Sequence, residues 1–262
     1  MGKISISIIL AAALTTAILL SGCTATGPRG LVTEEKKFTD FTYVEVEGTF
    51  EVEITQSDTF STTVSGDASS FDYIAVAKEG GKLRIYLNPR HTFTDFTLQA
   101  KALKAKITMP ALHGVQLSGA SEGTITGFNS SEDFNLDVSG ASSLEINDME
   151  IGNVEFKVSG ASKVTGDVNA GDVKIQVSGA SQVKLKGTAN DLVLTASGAS
   201  KVNLADVPLG DVDIKLSGAS EATVNAKGRL DSSLSAASRL YFLGNPDMGD
   251  IDISGASTIK HK

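Results

Sequence analysis

From residue 113 onward, apolar and polar residues alternate in short runs that recur down the chain. Phe134, Leu136 and Val138 are echoed by Val154, Phe156 and Val158, then by Val173, Ile175 and Val177. Leu192, Leu194 and Ala196 continue the series, as do Val212, Ile214 and Leu216. A period of two places such residues on one face of a strand and turns their neighbours to the other. After a short break the alternation resumes, as in Leu144 and Ile146, Val183 and Leu185, or Val202 and Leu204. No stretch holds a helical period long enough to supply crossover helices.

The break is a tetrapeptide. Ser-Gly-Ala-Ser begins at Ser118, Ser139, Ser159, Ser178, Ser197, Ser217 and Ser254, and Ser-Ala-Ala-Ser at Ser235. Successive starts lie 21, 20, 19, 19, 20, 18 and 19 residues apart. Turn residues occupy the rest of each repeat, at Asn147-Asp148, Gly166-Asp167, Gly187-Thr188 and Gly210-Asp211. Strands that return at this interval without helices pair with their own equivalents one turn later. The expected fold is all-β: a single-stranded parallel β-helix, right-handed by the crossover rule, with about eight coils of 18–21 residues. At the ~4.8 Å spacing of paired strands, seven steps stack to roughly 34 Å.

Two readings of the tetrapeptide glycine compete: a backbone with positive φ, or shortage of room where coils crowd. Ala236 stands at the glycine position of one coil, and a left-handed alanine costs ~1 kcal/mol or more, which favours shortage of room. From Val158 to Val164 the apolar residues keep to even numbers. Either the chain bends there without changing face, or Gly160 and Ser162 point inward. The position after the tetrapeptide reads Glu122, Ser143, Lys163, Gln182, Lys201, Glu221, Arg239 and Thr258, with no like charges adjacent, as a stacked solvent-facing ladder requires. The last coil reaches Ser254 two residues early, Ser232 enters an apolar column, and Pro246 and Lys260-His261-Lys262 follow the pattern of a terminal cap.

Residues 38–112 carry the same alternation less regularly. Tyr43 to Ile54 reads as strand, turn and strand, and Val64-Ser65-Gly66-Asp67-Ala68-Ser69 as a tetrapeptide coil with one residue inserted. The expected organisation is a leader over 1–22, a linker over 23–37 and a β-helix over 38–262. Within the last, 38–112 form irregular coils and a cap, 113–258 the repeats and 259–262 a tail.

The leader alters the picture of where the chain acts. Lys3 precedes an apolar run to Leu20, and Leu20-Ser21-Gly22-Cys23 resembles the bacterial lipobox, in which the cysteine becomes the lipidated N-terminus. A retained membrane helix is the competing reading, for which the run is short. Cys23 is the only cysteine, so a chain processed there has no disulfide and no thiol metal cluster. Thr24, rather than aspartate, after Cys23 follows the sorting rule for outer-membrane lipoproteins. The net charge is −8, and −9 once Lys3 is lost, with no basic cluster; this argues against nucleic acid.

The segments Gly48-Thr49-Phe50-Glu51-Val52-Glu53-Ile54-Thr55-Gln56, Gly81-Lys82-Leu83-Arg84-Ile85 and Ile107-Thr108-Met109-Pro110-Ala111-Leu112, followed by Val115-Gln116-Leu117-Ser118-Gly119-Ala120-Ser121, resemble the putative auto-transporter adhesin, head GIN domain family. The resemblance runs over nearly the whole processed chain. It implies an envelope-exposed β-helix, often lipidated, and carries no functional residues with it.

Catalysis would need clustered carboxylates or a nucleophile with a base beside it. His91, His113 and His261 are isolated in the sequence, so no such set assembles. A cation is better served by Asp213, Asp231 and Asp250, one column of hard oxygens four residues before each serine. A solvated face competes with that reading. Asp133, Asn153, Asp172, Asp191 and Asp211 recur six residues before the serine, where local Asx turns account for them. No cofactor is expected. The expected partners are the membrane through Cys23 and a glycan or surface protein; a carbohydrate-binding or carbohydrate-active β-helix is the alternative.

Overall fold

A computed structural model describes residues 30–71, 73–88 and 103–262. The leader and Cys23 lie outside these residues, as does His91. The described chain folds into two facing sheets, one of 12 strands and one of 11. Each repeat contributes one strand to each sheet. Strands before the tetrapeptide, such as Val154–Val158 and Val173–Val177, stack in parallel in the 11-stranded sheet. Strands after it, such as Lys163–Asn169 and Gln182–Thr188, stack in parallel in the other. The tetrapeptide is therefore the corner between the sheets, and the expected β-solenoid is present.

Alternation directs the core. Val154, Phe156 and Val158 fill one register with Val173, Ile175 and Val177, all buried between the sheets. Phe134 and Phe156 meet edge to face at 6.4 Å, a favoured arrangement of ring quadrupoles. Ser232 occupies an inward position between Ile214 and Ile251, and its hydroxyl finds no hydrogen-bond partner among the described residues.

Several local expectations are corrected. Asn147-Asp148 does not end a strand; it forms a bulge inside Ser143–Glu150, with the register shifting between Ile146 and Met149. Such a bulge bends a strand and lets it continue. Gly166-Asp167 and Gly187-Thr188 likewise lie within strands, whereas Gly210-Asp211 does separate Lys201–Leu209 from Val212–Leu216. Val64 to Asp67 is not a corner. It belongs to the strand Ser61–Asp67, which pairs antiparallel with Leu31–Lys36 on one side and Leu103–Met109 on the other. Gly66 lies under Leu103 in that strand, with no positive φ. Tyr43–Gly48 and Phe50–Gln56 continue the parallel stack, and antiparallel strands extend both sheets beyond them, since Ile74–Glu79 also pairs antiparallel with Lys82–Leu87.

The last coil forms the outer rung of both sheets, through Asp247–Ile253 and Thr258–His261. At the register shift between Leu230 and Ser232 the last strand carries one extra residue, Gly249 and Asp250 facing Asp231 alone. It is less polar than a cap requires: Met248 is 50% exposed and Ile253 42%. Asp247, Asp250 and Asp252 on one edge, and Lys260 and Lys262 on the other, keep those edges charged.

Candidate interaction surface

The corners are built by backbone geometry. The glycine φ is +77° at Gly140 and Gly160, +73° at Gly179 and +76° at Gly198, so the preference for shortage of room alone is overturned. Ala236 itself adopts φ +64°. The left-handed turn aims each glycine carbonyl down the stack, where the alanine N–H of the next coil donates to it. Ala161 donates to Gly140 at 2.8 Å, Ala180 to Gly160 at 2.8 Å and Ala199 to Gly179 at 2.8 Å. The same turn leaves no space for a side chain. A Cβ at Gly218 would stand 2.6 Å from the carbonyl oxygen of Gly198. Conformation and crowding therefore act together. Gly48 begins the column, since Ala120 N–H donates to its carbonyl at 2.7 Å.

The chain bends through the first three corner residues, and the second serine then returns inward. Ser121, Ser142, Ser162, Ser181, Ser200, Ser220 and Ser238 are buried. Their hydroxyls satisfy carbonyls that the bend frees: Ser220 donates to Ser217 at 2.7 Å and Ser200 to Ser197 at 2.9 Å. These serines are committed to the interior. What the corner presents outside is a ridge of Gly and Ala backbone.

The opposite corner carries a second ladder, and here local Asx turns give way to bonds between coils. Asp133 accepts the N–H of Asn153 at 3.0 Å, Asn153 that of Asp172 at 2.9 Å, and Asp191 that of Asp211 at 2.8 Å. Asp211 accepts from Arg229 at 2.7 Å, and Asp231 from Asp250 at 2.6 Å. Gly171 and Gly210 precede two of the donors because a Cβ there would press on the accepting oxygen, at 2.7 and 2.6 Å.

Of the cation candidates, Asp213 and Asp231 are register partners, and Asp250 bonds to Asp231 through its N–H. Arg229 sits among them. It grips Asp231 with two bonds of 2.8 Å and reaches Asp250 at 3.3 Å. Its hydrogen bonds, with the Asp250 N–H, hold the Asp231 carboxyl below the ordinary aspartate range. Among the described residues no group of three or more His, Cys, Asp or Glu side chains is placed to hold a metal ion.

The outer face of the 12-stranded sheet carries the charge ladder in the expected order. Lys163 pairs with Gln182, Gln182 with Lys201, Lys201 with Glu221 and Glu221 with Arg239. Lys201 and Glu221 form an ion pair at 3.0 Å. On the other sheet, Glu45 binds Lys82 at 2.8 Å and Arg84 at 2.9 Å. Glu155 takes Lys174 at 3.1 Å. Between these two ionic groups the structure gathers Tyr43, Gly114, Gln116 and Asn135, a set that alternation alone leaves scattered. One sign was available: Gly114 is the outward position that bears no side chain where other coils carry Asn135, Glu155 or Lys174.

The profile of the family described as "Putative auto-transporter adhesin, head GIN domain" matches residues 40–246. Solved structures are similar over nearly their whole length. A Parabacteroides distasonis protein described as a putative adhesin superposes with a TM-score of 0.80 at 15% identity, covering 90% of this chain and 98% of its own. A second from the same organism, described as a putative lipid binding protein, gives 0.76 at 18% with the same coverage. A putative adhesin of Parabacteroides merdae gives 0.75 at 15%, again over 90% and 98%. At these identities the likeness shows the fold. Among curated proteins none matches.

Proposed function

We propose that this chain, which belongs to the putative auto-transporter adhesin, head GIN domain family, is a lipid-anchored, non-catalytic protein of the cell envelope whose β-helix serves adhesion, surface interaction or scaffolding. The observation that carries this reading is the pair of long sheet faces of stacked strands, with side-chain columns unbroken from Gly114–Gly119 to Arg229–Leu234 in the 11-stranded sheet. A rigid face of that kind suits contact with an extended partner more than chemistry at a point. An adhesin-head family and a β-solenoid suit an exported or surface-exposed binding protein.

Anchoring rests on Leu20-Ser21-Gly22-Cys23. One acyl chain binds a membrane marginally, and two or more hold it firmly. In a diderm cell the residue Thr24 directs the protein to the outer membrane. Cells fed a labelled fatty acid test this: the wild-type chain takes up label and sediments with membranes, and Cys23→Ala takes up none. Label persisting in Cys23→Ala, or absent from the wild type, would overturn the anchor.

A further inference from the structure

We propose that the outer face of the 11-stranded sheet holds a neutral saccharide in a hollow between Tyr43 and Asn135; this rests on the adhesive reading and names its ligand class. Tyr43, Gly114 and Asn135 are register neighbours in one outward column. Gly114 has no side chain, which lets the Tyr43 ring lie across the column, and an open hollow of about 470 Å³ lies beside it. That lies within the range of small-molecule clefts, about 300–1,000 Å³.

The wall is aromatic and braced. The Tyr43 ring lies over Gly114, where an added Cβ would sit 2.7 Å from two ring carbons, and it meets His113 edge-on at 6.2 Å. Tyr43 is nevertheless 38% exposed, one of few large hydrophobic side chains to be so. The floor is polar and unspent. The flanking carboxylates Glu45 and Glu155 are each held by two cations. Gln116, Asn135 and Asp137, by contrast, direct no side-chain hydrogen bond or ion pair to any described residue.

This chemistry selects among ligands. Two amides offer donors and acceptors together, and a carboxylate offers acceptors, which matches neighbouring hydroxyls that both donate and accept. The tyrosine ring matches the apolar C–H face of a pyranose. Lys82 and Lys157 also line the hollow but are paired with Glu45 and Glu155, so an anion would meet the uncompensated Asp137, and a purely apolar ligand would strand three polar groups. A peptide strand cannot add here, because these strands are paired on both sides.

The test uses the full chain, purified in detergent, on an array of neutral and acidic oligosaccharides, with affinities for retained glycans measured by calorimetry. Tyr43→Ala and Asn135→Ala are expected to weaken binding of neutral glycans at least tenfold. Tyr241→Ala, an aromatic on the other sheet, is expected to leave it unchanged. Melting curves identify any variant that fails to fold, and Gln116→Ala then replaces it. The site is overturned if no neutral glycan binds, or if binding ignores all of these changes. Failure on the array, with the bearing cells still adhering to protein-coated surfaces, would overturn the saccharide site and leave the adhesive reading standing.

Discussion

The corner glycine is asked for two things at once, and a single substitution separates them. At Gly160, φ is +77° and an added Cβ would press into the carbonyl oxygen of Gly140. Gly160→Ala should cost about 1–2 kcal/mol for the left-handed backbone, and about 1–3 kcal/mol more for the overlap. Ala236→Gly should do the reverse. It relieves φ +64° and raises stability by up to about 1 kcal/mol, the looser unfolded chain offsetting part of the gain. Denaturant melts of both variants check the pair; a neutral Gly160→Ala would contradict this account of the corner. The sequence disclosed the column but not its backbone. Ala236 misled, because one strained alanine in a stack of otherwise unstrained corners is affordable when neighbouring coils fix it in place.

At the scale of strands, what was legible depended on regular stacking. Strands before each tetrapeptide begin and end where alternation puts them, as Val154–Val158 and Val173–Val177 do. Strands after it run through glycine and aspartate that read as turns, because a parallel ladder tolerates a bulge such as that between Ile146 and Met149. The antiparallel N-terminal strands were hidden for another reason. Ser61–Asp67 joins Leu103–Met109 across about forty residues, and alternation carries no information on partner or direction. The same ignorance of register concealed the hollow, whose walls Tyr43 and Gly114 lie far apart in sequence.

Glu45 reports on this N-terminal packing. Burial works against its charge, but the hydrogen bonds from Lys82 and Arg84 prevail and hold its pKa below the ordinary glutamate value. A lowered folded-state pKa contributes stability that is complete above the unfolded value of about 4.3. It is lost as pH falls through the folded-state value. Thermal melts should therefore show the wild type losing stability more steeply than Glu45→Gln below about pH 4. Parallel slopes would assign the pair no such role.

For the whole molecule, two sheets joined at stacked corners make a rod; the 11-stranded face keeps its register from Gly114–Gly119 to Arg229–Leu234, and bulges interrupt the other. Nearest-neighbour coils hold it together, so it can bear a ligand face without a globular core. The chain belongs to the putative auto-transporter adhesin, head GIN domain family, and the leader supplies the proposed tether. The most direct measurement is retention of cells on a glycan- and matrix-protein-coated surface under flow, comparing the wild-type chain, Cys23→Ala and a deletion. Wild-type cells should be retained, while Cys23→Ala cells, which lack the lipid anchor, should wash away with the deletion. Equal retention of all three would contradict an anchored adhesive role.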